Sequence, residues 1–325
     1  MNETLQSLST DTAWCPRIIP PCSEQQLNSI LPQLLSHTPH HPAELACDDL
    51  TAAEQLAPSL TQDWRLLLCC SIVRSQDIHR LTTLAIAHHC TVVVGHFRHV
   101  ELVAAAARAA GQTISVLVEL SLGRQLSGIT AGPDAASLIS AIRRRPEITL
   151  RGLFLRNPCQ SETDTESQRR TLQSGLSMCR HTLRMLRNDV SDNSADSREA
   201  DCSIVLGQLP IRLLPDFHGS AVCNPWPIQN SMPAPKPNSS QTDAGVPALV
   251  ITRPNLDLCV VACFSPITTD STCQWLAPAP AGAVVIDQID HYFTLQVSGP
   301  ALDLKIGDEI LLKIAGPTNQ TQPIT

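Results

Sequence analysis

Lysine is almost missing from this chain of 325 residues. Three occur, Lys236, Lys305 and Lys313, against twenty arginines, and none lies in the first 235 residues. Chemistry that runs through an imine on a side-chain amine is thereby excluded from that long N-terminal portion. Tyrosine is scarcer still, with Tyr292 alone. No contiguous basic block occurs, and the formal net charge is −7 with a pI near 5.8. Nucleic acid and anionic membrane are therefore not expected as partners. No apolar run approaches the roughly 18 residues of a spanning helix. The opening MNETLQSLSTDTAW carries neither the basic nor the apolar region of an export signal, so a cytoplasmic protein is expected. The 13 cysteines fall without zinc-ribbon spacing, and read as small buried apolar residues in a reducing compartment.

What is present is a core. Hydrophobic residues make up 43% of the chain, enough for one large domain and a smaller one. The clearest unit is Thr91–Ile129, TVVVGHFRHVELVAAAARAAGQTISVLVELSLGRQLSGI. Val92 to Val94 read as a strand covered on both faces. Glu101 to Ala110 is alanine-rich with Gly111 at the C′ position of a helix, and Ile114 to Leu120 is a second buried strand. Two such strands joined through a helix pair in parallel by a right-handed crossover, and ligands of such sheets sit beyond the carboxyl ends of the strands. Glu119 to Gly128 is then the expected place for chemistry.

The same alternation runs from Leu66 to Leu206. Strands are expected at Leu66–Ser71, Thr149–Leu155 and Ser203–Leu206. Helices are expected at Leu27–Leu35, Ala52–Leu56, Ser75–His88, Pro133–Arg145 and Ser167–Arg187, with a mobile loop over Asn188–Asp201. Beyond a Pro/Ser/Asn-rich stretch the pattern changes to short apolar runs at Ala248–Thr252, Asp257–Phe264, Ala283–Ile286, Phe293–Val297 and Glu309–Ile314, separated by Pro, Gly and Asp. The fold class expected is α/β: a TIM-type (β/α)8 barrel over residues 1–222, a linker or insertion over 223–247, and an all-β domain over 248–325. Leu45–Arg65 is short for a strand, helix and strand, so the barrel is expected to lack an element near its N-terminus.

Several stretches, in order, resemble the D-threonine aldolase and D-serine dehydratase-like group of the alanine-racemase-like, fold type III pyridoxal-phosphate enzymes. They are RLLLCCSIVRSQDIHRL at Arg65–Leu81, VLVELSLGRQLSGI at Val116–Ile129, LRGL at Leu150–Leu153, DQIDHYFTLQV, and the closing GPALDLKIGDEILLKIAGP. The resemblance implies a Schiff-base lysine on the first barrel strand, a glycine-rich phosphate loop and, in some members, a divalent metal. At the position it implies for the lysine stands Thr38, within SHTPHHPAEL, with His40 matching a flanking histidine. Ser121 and Leu126 stand where the group has an acidic residue and an arginine, and no tyrosine lies near Phe154–Asn157. The phosphate loop is replaced by GQLPIRLLP, whose prolines remove backbone N–H groups that a phosphate nest needs. Val261, Ala262 and Cys263 replace an Asp-Ala-Gly motif, AGPTNQT replaces a His-x-Cys metal pair, and Asp270, His291 and Asp308 remain.

These losses imply a divergent relative without pyridoxal-phosphate catalysis and with neither that cofactor nor a metal, acting as a binding or partner protein. The alternative is an active lyase or racemase on a D-amino acid or 3-hydroxy amino acid. The resemblance also implies a homodimer or pairing with an active paralogue, and a small-molecule ligand at the barrel mouth. His40, Glu119 and His291 are the candidate catalytic residues. Glu119 is either a base or the partner of an arginine within the barrel. His88, His89 and Cys90, and the pair His96 and His99, are metal-ligand types, weighed against a helix end followed by a solvated turn. Arg143 to Arg145 read as an anion site or as a solvated helix cap.

Overall fold

Val92, Val93 and Val94 have no solvent exposure, as a strand sandwiched between two layers requires. The computed structural model describes residues 13–18, 44–47, 49–61, 64–121, 128–156, 164–189, 203–207, 220–223, 246–263, 274–289 and 292–315. Two units divide between Pro227 and Ile228. The first contains, in order, β1 (Ala13–Ile18), β2 (Glu44–Cys47), α1 (Leu50–Leu56), β3 (Arg65–Leu68), α2 (Ser75–Ala87), β4 (His89–Val94), α3 (Phe97–Ala110) and β5 (Ile114–Ser121). There follow β6 (Ile129–Thr130), α4 (Pro133–Arg143), β7 (Ile148–Leu155), α5 (Thr165–Asp189), β8 (Ser203–Leu206) and β9 (Ser220–Cys223).

Every neighbour pairing around the sheet is parallel, through β1–β2, β2–β3, β3–β4, β4–β5, β5–β7, β7–β8 and β8–β9. The ring closes by pairing Ala13–Pro16 of β1 with Ser220–Cys223 of β9. Eight strands thus form a closed barrel, while β6 adds a two-residue extension beside the end of β5. The expectation of a missing N-terminal element is corrected: β2 supplies it with four residues, and α1 follows within three more. Asp49 starts α1 by accepting the Ala52 N–H at 2.7 Å, so little chain is spent on the turn.

Strand alternation explains the unbroken apolar runs. Leu45, Leu66, Leu68, Val92, Val94, Val116, Val118, Leu153, Leu155 and Leu206 belong to the outer core beneath the helices. The residues between them, Ala46, Leu67, Val93, Leu117, Phe154 and Val205, meet inside the barrel together with Cys69. Both faces are dry, so both must be apolar. At the opposite end of the interior the β5–β7 register slips by one residue, from Val116↔Leu150 to Leu117↔Gly152. The extra residue, Arg151, sends its guanidinium to the Glu44 carboxylate and to the Thr91 hydroxyl, the latter at 3.2 Å.

Each helix has a local reason to begin or end. Pro133 occupies the first turn of α4, and Gly111 closes α3 with φ +64°. α3 begins at Phe97, four residues earlier than its alanine-rich stretch suggests, because His96 caps it. α5 runs through Asn188 and Asp189, which the sequence placed in a loop. Its buried Thr182 hydroxyl donates to the Met178 carbonyl at 3.0 Å and accepts the Gly132 N–H at 3.2 Å, fastening α5 to the start of α4. No helix among the described residues is long and apolar enough to cross a membrane. The expected helix at 27–35 lies outside the described residues.

The second unit is one antiparallel sheet of β10 (Val246–Asn255), β11 (Leu258–Cys263), β12 (Gln274–Ala279), β13 (Ala283–Ile289), β14 (Tyr292–Val297) and β15 (Glu309–Ala315), in the order β12-β15-β10-β11-β14-β13. Its core holds Val250, Val261, Phe293, Leu295, Leu312 and both Cys259 and Cys263, which share a face at a spacing of four. Arg253 ties two turns together by donating to the carbonyls of Leu256, Leu302 and Leu304, the last at 2.8 Å.

Burial pushes the thiols of Cys90, Cys179, Cys259 and Cys263 up to about 12. At pH 8 about one such thiol in ten thousand is ionised, and the thiolate is the reactive form. Iodoacetamide at that pH is therefore expected to leave these four unlabelled in the folded chain and to label them all in denaturant, read by peptide mass spectrometry. Rapid native labelling of any of the four would contradict this packing.

Candidate site at the barrel mouth

The inner layer of the barrel continues by period two toward the carboxyl ends of the strands. From Leu67, Val93, Leu117, Phe154 and Val205 the next inward positions are Cys69, Gly95, Glu119, Arg156 and Gly207. This is the end at which a barrel of this type places its ligands.

Glu119 is 1% exposed and Arg156 is 8% exposed. The two form a bidentate pair, with Nε to Oε1 at 2.7 Å and an Nη2 to Oε2 contact at 3.1 Å. The same Nη2 also donates to the Cys69 carbonyl at 2.7 Å, and the guanidinium carbon lies 5.5 Å from the centre of the Phe154 ring. Charge is thus cancelled inside the fork, one strand-end carbonyl is satisfied, and an aromatic face supports the cation from below. Of the two readings of Glu119, base or arginine partner, the structure supplies the partner. Arg156 was not singled out by the sequence. The signal for it was available: it follows GLFL directly, at the inward position next above Phe154, where a buried carboxylate on the neighbouring strand needs a counter-charge.

Backbone fills much of what remains around this pair. A Cβ on Gly128, whose φ is +90°, would stand 2.8 Å from the Glu119 carbonyl oxygen and 2.9 Å from its Cγ. A Cβ on Gly95 would stand 2.8 Å from the Gly128 Cα, and one on Gly207 would meet the Phe154 ring at 2.6 Å. Gly128 therefore lies wedged between the ends of β4 and β5, against the carboxylate stem.

His96 and His99 do come together, with ring centroids 5.9 Å apart, but each spends its Nδ1 on the backbone. His96 Nδ1 accepts the Arg98 N–H at 3.0 Å, and His99 Nδ1, on a ring 2% exposed, accepts the Gly95 N–H at 3.2 Å. Both tautomers therefore carry the proton on Nε2. Burial lowers the pKa of His96, against a smaller upward pull from Glu101. The pair starts a helix; it does not end one.

His88 and Cys90 are buried, so the solvated-turn reading is corrected for them: the His88 Nε2 is 3.0 Å from the Ala57 carbonyl and ties α2 to the turn after α1. His89 is exposed. Arg143 and Arg144 lie exposed at the end of α4. No group of three or more His, Cys, Asp or Glu is placed to hold a metal among the described residues. Candidates His40 and His291 lie outside the described residues, as do Thr38, Leu126 and Asp270. Ser121 is half-buried at the end of β5, and Asp308 shapes a turn in the second unit by accepting the Lys305 N–H at 2.7 Å.

Residues 43–202 match the family of the alanine racemase N-terminal domain. No curated protein sequence matches the chain significantly. Among solved structures, the D-threonine aldolase from Filomicrobium marinum is similar at a TM-score of 0.55 and 16% identity, over 96% of this chain and 81% of that one. An alanine racemase from Clostridium difficile 630 is similar at 0.53 and 12%, over 95% and 82%. A metal-free D-threo-3-hydroxyaspartate dehydratase mutant is similar at 0.52 and 15%, over 96% and 85%. The barrel thus carries a region of the alanine racemase N-terminal domain family, and a parallel barrel followed by an antiparallel sheet is the alanine-racemase fold.

Proposed function

We propose that this chain is a divergent member of its family that works by binding, to a small molecule at the barrel mouth or to a partner chain, and not by pyridoxal-phosphate catalysis. The observation that carries the reading is the composition of the barrel unit, Met1–Pro227, which contains no lysine. Pyridoxal phosphate reacts through an imine, and an imine needs a primary amine. Lys305, in the second unit, follows a short 3-10 turn, with its backbone N–H held by Asp308. Among the described residues at the mouth, Arg156 and Glu119 satisfy each other.

The competing reading is an active lyase or racemase acting on a D-amino acid or a 3-hydroxy amino acid. A titration with pyridoxal phosphate, followed by borohydride reduction and peptide mass spectrometry, separates the two. The expected result is no saturable visible absorbance and no stoichiometric pyridoxyl group on the chain. A stoichiometric adduct on Lys236, Lys305, Lys313 or the terminal amine, accompanied by consumption of a D-amino acid, would overturn the proposal.

A further inference from the structure

Several arginines among the described residues are held in ion pairs. Arg74 and Arg80 hold Asp77, Arg80 also holds Glu54, and Arg98, Arg108, Arg151 and Arg156 hold Glu101, Glu147, Glu44 and Glu119. The solvent face of α5 departs from this. Arg170, Arg180, His181 and Arg184 stand exposed along it. Glu166 lies 3.6 Å from Arg170, but among the described residues no carboxylate forms an ion pair with Arg180 or Arg184. Those two are one helical turn apart, and the Arg184 Nε donates to the Arg180 carbonyl at 3.3 Å. Like charges at that spacing repel, so a carboxylate supplied from outside relieves a strain as well as gaining two guanidinium forks. Spread at helical intervals, these arginines escape a search for contiguous basic blocks.

The surroundings select among anions. Between the arginines the exposed positions of α5 are Gln173, Ser174 and Ser177, and the helix has no phenylalanine, tyrosine or tryptophan. Bases would find no broad aromatic platform beyond His181, and a bilayer would find no apolar side chain to take in. The chain as a whole carries −7, which repels a long polyanion but not a short one held at a single face.

We infer that the exposed face of α5 docks a short acidic segment of a partner protein, whose carboxylates engage Arg180 and Arg184. From Arg170 to Arg184 the helix rises about 21 Å, a distance spanned by roughly six or seven extended residues. Side chains on one side of an extended segment recur about every 6.6 Å, close to the separation of neighbouring turns on the helix. The inference is independent of what the barrel mouth binds.

Fluorescence anisotropy with labelled octaglutamate and the full chain tests it. Saturable binding is expected at low salt, weakening at least about tenfold in the double variant Arg180→Ala/Arg184→Ala. Both substitutions fall on exposed helical positions, and an unchanged circular dichroism spectrum will confirm that the variant is folded. Octaglutamate that binds the variant as well as the parent, or binds neither, overturns the inference. So does an oligothymidylate of equal charge, or a phosphatidylserine vesicle, that binds the parent more tightly than the peptide and loses its affinity in the variant.

Discussion

Replacing Gly152 by alanine is expected to abolish the folded barrel. A Cβ at that position would lie 1.9 Å from the Ser203 carbonyl oxygen and 2.8 Å from both the Ser203 carbonyl carbon and its nitrogen. All three atoms are backbone, so no side-chain rotation clears the space. The clash falls where Gly152 pairs with Ser203, at the start of the β7–β8 ladder. It also falls beside the bulge that aims Arg151 at Glu44. Either β8 moves away and a parallel ladder is lost, or the bulge collapses and a half-buried ion pair is broken. A cost above about 4 kcal/mol is expected, enough to unfold an ordinary domain, read as insoluble expression or as loss of the cooperative urea transition. Gly111→Ala is the control. Its Cβ would meet nothing within 4 Å, and only the left-handed backbone at φ +64° opposes it. About 1 kcal/mol is expected there. Comparable transitions for Gly152→Ala and the parent would show that β7 and β8 do not approach as described.

The second large effect concerns Glu119. Truncating it to alanine leaves the Arg156 guanidinium buried with half of its fork unmatched, and breaking such a pair costs about 3–5 kcal/mol. The loss should be largely recovered in the double variant Glu119→Leu/Arg156→Met, which removes both charges and keeps the volume. In a cycle of the two single variants and the double, an interaction energy of about 2 kcal/mol or more is expected from urea denaturation followed by far-UV circular dichroism. Additive losses would mean that the carboxylate and the guanidinium are solvated and free to meet a ligand. The cycle therefore also bears on function: a strongly coupled pair is a plug in the mouth, whereas a weakly coupled one is a recognition site.

Much of the barrel was readable because its strands are buried on both faces. Thr91–Val94, Ile114–Leu120 and Thr149–Leu155 advertise themselves as apolar runs, and Gly111 marks its helix end by conformation alone. β2 and β9 were missed for the opposite reason: at four residues each, ELAC and SAVC are too short to show a period. β1 carries Pro16 and β12 carries Pro278, which count against a strand until the pairing partners are known. In the site, Glu119 was legible as a buried carboxylate, but its partner lies 37 residues further on and one strand away. Such pairing is a property of sheet order, invisible to any local window. His96 and His99, weighed in the sequence as metal-ligand types against a structural reading, make the complementary point. Their spacing is right for a metal, yet each imidazole is committed to a backbone N–H, and only the hydrogen bonds reveal it.

The seam between β1 and β9 has a consequence for how the molecule is made. Ala13 and Ser220, which face each other across it, stand more than two hundred residues apart in the chain. During synthesis from the ribosome, β1 through β8 must wait with two raw edges until the last strand emerges. Closing so long a loop is entropically slow, and an uncapped parallel edge is a template for the wrong neighbour. Closure of the β1–β9 joint is thus the expected slow step of barrel folding, far from the residues that face its mouth.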